Sequence, residues 1–271
     1  MNTTKITCLG HGGAFSAADV GNTSYLVEHE NHRILIDCGN TVPDVLKEFG
    51  IDPGSLTAIV VTHLHGDHVN GLERLLYHRH YICKAKPIDL IMGPDTALDW
   101  LACVRATKND LERHVRIMRA PNPGQFGSAG VNGDFSRVSL GCRDSAVAVR
   151  VNHGGDVHAM HCYCFTLNLA SHRLFFSGDR IWYHHGCDVV YESMVNSTIA
   201  FHELELFSPP SGAHTNVADV TGLVTTDHIW WGHHGSAAPF YPAAPHLKLA
   251  HKGDEWTITD GKVEQTGGFK L

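Results

Sequence analysis

The run His63-Leu64-His65-Gly66-Asp67-His68 constrains this chain more than any other stretch. It follows Ala58-Ile59-Val60-Val61-Thr62, a short β-branched segment that reads as a buried strand. It precedes Val69-Asn70-Gly71-Leu72-Glu73-Arg74-Leu75-Leu76, whose apolar spacing predicts an amphipathic helix. Three imidazoles and a carboxylate therefore share one tight strand-to-helix turn, with Gly66 expected to permit the sharp backbone. Imidazole nitrogen and carboxylate oxygen are the usual zinc donors. The alternate residues His63 and His65 can converge on one ion, while Asp67 and His68 face a second. The pattern points to a metal-dependent hydrolase.

Histidine is abundant here, 22 of 271 residues, so pairs such as His78/His80, His184/His185 and His233/His234 carry little weight alone. The run at 63–68 carries weight because its Asp and its strand–turn–helix setting are both specified. A hydrophobic content of 43% supports a large core, expected as a single domain over residues 1–271. No apolar run approaches ~18–20 residues, so no transmembrane helix is expected. The N-terminus moves from Met1-Asn2-Thr3-Thr4 straight into a strand without a signal-peptide core, which predicts a cytoplasmic address. The eight cysteines then read as reduced thiols filling the core. A formal charge of −7 and the lack of a Lys/Arg block argue against gripping long nucleic acid. The stretch from Arg105 to Arg119 also holds Asp110 and Glu112 and reads as a solvated helix face. A small anionic substrate is compatible, since metal ions supply positive charge.

Strands are expected at 5–9, 24–28, 33–37, 87–93, 138–140, 146–151, 162–169, 173–177, 198–206, 228–231 and 255–259. Helices are expected at 43–49, from 96 to about 115, and at 216–224, with a loop over 120–134. This order predicts an α/β fold, two sheets packed face to face with helices on the outer faces. Candidate ligands then fall at strand ends. Asp179 closes Arg173-Leu174-Phe175-Phe176-Ser177-Gly178, and a carboxylate there can bridge two ions, which neutral imidazole does poorly. His153 closes an apolar strand and can complete the first shell, with His158 its competitor. His233, after Ile229-Trp230-Trp231-Gly232, is the natural last ligand, with His234 the alternative. Asp37 ends a buried strand and is expected to hold the metal turn by hydrogen bonds rather than bind metal itself.

In this order, Asp37, His63-x-His65-x-Asp67-His68, His153, Asp179 and His233 resemble the metallo-β-lactamase superfamily over nearly the whole chain. The resemblance implies an αββα sandwich of two mixed sheets. It also implies one zinc on His63, His65 and His153, a second on Asp67, His68 and His233, and Asp179 bridging, with Mn²⁺ the alternative ion. True β-lactamases usually carry Cys where Asp179 stands and are secreted, which argues against antibiotic hydrolysis. Phe201-His202-Glu203-Leu204-Glu205, Gly212-Ala213-His214-Thr215 and Trp231-Gly232-His233-His234-Gly235 are similar in order to the ribonuclease Z-like phosphodiesterase branch. Leu9-Gly10-His11-Gly12-Gly13-Ala14-Phe15 and Asn22-Thr23-Ser24 look like that branch too. There the resemblance implies that His214 assists catalysis, oriented by Glu203.

The interval from His153 to Asp179 leaves room for one hairpin rather than a tRNA-gripping arm. The resemblance therefore narrows to compact cyclic-nucleotide-degrading members, including phage anti-Pycsar nucleases. It implies a homodimer in the cytoplasm, the host's if the chain is phage-encoded. Two zinc ions ~3.5–4 Å apart would lower the pKa of a bridging water toward ~7, and the hydroxide would attack phosphorus of a small diester such as a 3′,5′-cyclic nucleotide. Asp67 and His214 would take catalytic roles, His214 protonating the leaving ribose oxygen. A base could stack on Phe126, Trp182 or Tyr183. The alternatives are a lactonase or thioester hydrolase using the same metals, and a non-catalytic zinc-binding protein.

Overall fold

Ala58-Ile59-Val60-Val61 is buried at every position, as expected of a strand covered on both faces. The computed structural model describes residues 2–17, 19–104, 113–119, 135–141, 144–151, 160–180, 189–206, 211, 213–220, 227–232 and 247–268. Its strands in chain order are β1 (Thr3–Gly10), β2 (Ser24–His29), β3 (His32–Ile36), β4 (Ala58–Val61), β5 (Ile88–Met92), β6 (Val115–Arg119), β7 (Phe135–Gly141) and β8 (Asp144–Val151). They continue as β9 (Cys162–Leu169), β10 (His172–Phe176), β11 (Ile199–Glu203), β12 (Ile229–Gly232), β13 (Lys248–Leu249), β14 (Glu255–Thr259) and β15 (Lys262–Gly267). Helices α1 (Val42–Glu48), α2 (Gly66–Val69), α3 (Leu72–Tyr77), α4 (Pro94–Cys103), α5 (Val189–Val195) and α6 (Val217–Val220) lie between them.

The strands form two mixed sheets, ordered β15-β14-β1-β2-β3-β4-β5-β6 and β13-β12-β11-β10-β9-β8-β7. Between the sheets, Ile6, Val27, Ile34 and Val60 meet Phe165, Leu167, Phe176 and Phe201 in one buried cluster. The outer face of the first sheet packs Leu35, Ile59 and Leu90 on Leu46, Leu72 and Trp100 of the helices. The outer face of the second packs Phe175 and Ala200 on Val190, Met194 and Val220. Complete burial of a side chain such as Phe165 or Phe175 is worth about 1.5–3 kcal/mol. The result is the expected αββα layering.

Strand direction then places the site. β3 and β4 run parallel, as do β10, β11 and β12. Their C-terminal ends gather at one edge of the sandwich, where loops leave the sheets and can aim side chains inward. Tyr163 N–H donates to Thr62 O across the sheets there, at 3.0 Å. Away from that edge the sheets share a polar contact. Thr4 Oγ1 lies 2.7 Å from His29 Nδ1 and 2.7 Å from His172 Nδ1, with all three residues buried. Both imidazoles turn Nδ1 to this one hydroxyl, which links the two sheets.

Several expectations need correction. The helix expected from 96 to about 115 ends at Cys103, and Val115 opens β6, which pairs parallel with β5. Arg116 therefore stands on a strand, bonded to Asp89 at 2.7 Å, rather than on a helix face. The helix expected after the metal turn is two pieces, α2 and α3. Gly71 N–H leaves the helical register and donates to Cys38 O, while Cys38 N–H donates to His68 O. The loop after β3 thus takes the backbone bonds that a continuous helix would keep. The strand expected over 198–206 stops at Glu203. The loop expected over 120–134, together with His153, His158, His233, His234, Phe126, Trp182 and Tyr183, lies outside the described residues. Among the described residues, no helix is long and apolar enough to cross a membrane.

Candidate metal centre

Five residues of the expected set converge at the strand-end edge. His63 and His65 follow β4, Asp67 and His68 lie in α2, and Asp179 follows β10. His63 Nε2 sits 3.1 Å from His65 Nδ1 and 3.6 Å from Asp179 Oδ2. His68 Nε2 sits 3.4 Å from Asp67 Oδ2 and 3.4 Å from Asp179 Oδ1. Asp179 thus turns one oxygen to each donor pair. Zinc–nitrogen bonds of about 2.0–2.1 Å in a tetrahedral shell put neighbouring donors about 3.3 Å apart. The spacings here bracket that value, so each donor group fits a metal ion, with Asp179 common to both. The donors His63, His65 and Asp179 fall within 4.8 Å of one another, as do those of Asp67, His68 and Asp179.

The backbone explains this closeness. Gly178 has φ +58°, and a Cβ there would lie 2.9 Å from Tyr163 O and 3.1 Å from Thr62 Cβ. Only glycine brings the Asp179 loop so near β4 and β9. Gly66 serves differently from expectation. It lies in ordinary helical conformation as the first residue of α2, and a Cβ would meet Asn70 Nδ2 at 2.5 Å. The turn there needs no special φ, and what a Cβ would meet is the movable end of the Asn70 side chain.

Asp37 is placed as expected, behind the turn. Its Oδ1 accepts Thr62 N–H at 2.7 Å, and its Oδ2 accepts Thr62 Oγ1–H and His68 Nδ1–H, each at 2.8 Å. Its backbone is left-handed, φ +57°, which turns the carboxylate back beneath the metal turn. Thr62 is a participant the sequence did not announce, since it precedes the motif and looks like an ordinary strand residue.

The electrostatics match a site made for cations. Burial alone would depress His68, but Asp179 and Asp37 raise it well above the ordinary histidine range. Without an ion, a proton on His68 offsets the clustered carboxylates. Burial also lowers His65, partly opposed by Asp179 and Asp67, which favours the neutral ring that metal binding needs.

Beside this centre, His214 Nδ1 donates to Glu203 Oε2 at 2.7 Å and lies 3.6 Å from Asp179 Oδ2. Glu203 Oε1 accepts backbone N–H groups of Arg180 at 2.5 Å and Thr215 at 3.2 Å. Glu203 is itself buried. Burial alone would lower His214, yet its hydrogen bond to Glu203 and the Glu203 and Asp179 charges raise it to about 9. Asp179, Glu203 and His214 also lie close enough to ligate. The short Glu203–His214 bond already occupies the facing atoms, so this trio reads as a hydrogen-bonded pair bordering the centre.

A two-sheet sandwich with this turn at its edge defines a metallo-β-lactamase-fold protein of the ribonuclease Z-like kind. Residues 4–240 match the family model for the anti-Pycsar protein Apyc1, and the chain belongs to that family. It is 26% identical over 272 residues to the anti-Pycsar protein Apyc1 of Bacillus phage 010DV004, covering 95% of this chain and 99% of the relative. Its fold resembles the metallo-beta-lactamase fold protein YhfI from Bacillus subtilis, with TM-score 0.73 and 16% identity over 94% of this chain and 99% of that one. It also resembles the short form of human tRNase Z, with TM-score 0.66 and 18% identity over 96% of this chain and 98% of that one.

Proposed function

We propose that this protein is a dinuclear zinc phosphodiesterase that hydrolyses small phosphodiesters, with 3′,5′-cyclic nucleotides its substrates. The observation that carries this reading is Asp179, whose two oxygens face two separate donor pairs while its Oδ2 also borders His214. Family membership supports the cyclic-nucleotide class, because an anti-Pycsar relative spans nearly the same length. His63, His65 and Asp179 would hold one ion, and Asp67, His68 and Asp179 the other. His153, in preference to His158, would complete the first shell and His233 the second. Zinc bound there would supply Lewis acidity toward a phosphoryl group and a water of lowered pKa; Mn²⁺, which favours the carboxylate oxygens over imidazole and binds such sites more weakly, is the alternative ion.

The chain's own residues do the rest. His214, charged at neutral pH, faces the centre and donates a proton to the departing ribose oxygen. Glu203 holds the ring by its Nδ1, leaving Nε2–H for that transfer. Asp67 fixes the charge balance of the second donor pair. Asp37 keeps His68 in the orientation that offers Nε2. We place the reaction in the cytoplasm, the host's for a phage-encoded chain, and infer a homodimer, which sedimentation would check.

The test is a substrate panel with the zinc-loaded protein. Turnover of 3′,5′-cyclic nucleotides and bis-p-nitrophenyl phosphate, with little on lactones or thioesters, is the expected result. Preference for lactones or thioesters would transfer the same metal centre to carbonyl chemistry. More than two weakly held ions and no turnover would indicate a zinc-binding protein instead.

A further inference from the structure

We propose that Thr62 is a positioning residue that fixes which nitrogen of His63 faces the metal centre, so that Asp37 orients one histidine in each half of the site. The inference rests on the metal-centre reading above and extends it to a residue outside the ligand set. Asp37 Oδ2 lies 2.8 Å from Thr62 Oγ1 and 2.8 Å from His68 Nδ1. A carboxylate accepts and does not donate, so both neighbours must be donors. A hydroxyl has one proton. With that proton directed at Asp37, Thr62 Oγ1 can only accept from His63 Nδ1, 3.0 Å away.

His63 is thereby held as the Nδ1–H tautomer, with its Nε2 lone pair turned to His65 Nδ1 and Asp179 Oδ2. The alternative tautomer would put a hydrogen where the ion must bind. Water does not compete for these bonds, since His63 is 0%, Thr62 1% and Asp37 4% exposed. The Asp37 carboxylate is pinned as well, because its Oδ1 accepts Thr62 N–H at 2.7 Å. The left-handed backbone at Asp37 presents its carboxylate so that one oxygen serves both Thr62 and His68. His68 is reached directly and His63 through one hydroxyl. The two halves of the centre therefore share a single anchor.

Two measurements test this. In the zinc-free full-length protein, long-range ¹H–¹⁵N correlation at a pH where His63 is neutral should find its proton on Nδ1. The signal is assigned by its loss in His63→Asn. Thr62→Val keeps the shape of the side chain and removes the hydroxyl. It should mix the His63 tautomers and weaken one of two zinc ions by about 10–100-fold, the range for lost outer hydrogen bonds to ligands. Thr62→Ser should restore both, and Asp37→Asn should weaken both ions. A wild-type His63 carrying its proton on Nε2 would overturn the proposal. So would equal zinc affinity in wild type, Thr62→Val and Thr62→Ser. Should the wild type bind no zinc, the metal-centre reading fails, and the tautomer measurement still decides the Thr62 assignment because it needs no metal.

Discussion

Replacing Glu203 by Gln should convert a pH-insensitive acid into a pH-limited one. The Glu203 carboxylate, 2.7 Å from His214 Nδ1, is the main group raising that imidazole to about 9 from an ordinary 6.5. Glutamine can still accept the Nδ1–H bond but brings no charge. At pH 8 a group of pKa about 9 is about nine-tenths protonated, whereas one at 6.5 is about 3% protonated. If His214 donates the leaving-group proton, Glu203→Gln should lose on the order of 30-fold at pH 8 and much less at pH 6. An ion on Asp179 would remove that carboxylate's share of the shift and leave the Glu203 share, so the deficit should still grow with pH. His214→Ala should lose about 10²–10⁴-fold on a ribose-type diester, which is about 3–5 kcal/mol of barrier. A p-nitrophenyl ester hardly needs its leaving group protonated and should be affected far less. The assay is kcat for both esters from pH 6 to 9, with zinc content measured on each sample. Equal losses on the two esters with zinc retained, or a Glu203→Gln deficit that does not grow with pH, would refute general-acid catalysis by His214.

Zinc must displace the proton that Asp179 and Asp37 keep on His68, so affinity should fall as pH falls and binding should release protons. Calorimetry in buffers of different ionisation enthalpy would detect this, and a buffer-independent binding heat would contradict it. His172, buried against His29, has its pKa lowered by desolvation and by that neighbour. The unfolded chain then binds more protons, so this contribution to stability is present above about pH 6.5 and is lost as pH falls toward the depressed native value. Melting of zinc-free protein should show a shallower loss below pH 6.5 in His172→Gln than in wild type, and identical slopes would count against the argument. His153→Ala should lower zinc content more than His158→Ala, and the reverse order in elemental analysis would reassign the ligand.

The metal turn was legible because four of its donors are local in sequence, fixed by one strand and one short helix. The layering was legible because doubly covered strands such as Ala58–Val61 read as continuous apolar runs. β6 was not. Charged residues at helical spacing upstream of Val115 outweighed a five-residue strand whose existence depends on pairing with β5, and that is a tertiary fact. The break between α2 and α3 was hidden for a similar reason, since its hydrogen bonds go to Cys38, far back in the chain. Glu203 and His214 were found only through resemblance. Eleven residues of spacing say nothing until β11 and the His214 loop come together. Thr62 was missed because its role depends on the left-handed turn at Asp37, for which sequence offers no marker.

The most direct test of the central claim is hydrolysis of a 3′,5′-cyclic nucleotide by the zinc-loaded protein in ¹⁸O-labelled water, with Asp179→Ala as control. Water attack at phosphorus places one labelled oxygen in the phosphate of the linear product. The account predicts that label, at a rate that falls to background in Asp179→Ala and on removal of zinc. No turnover by the wild type, turnover that persists in Asp179→Ala, or label found on the sugar would contradict it.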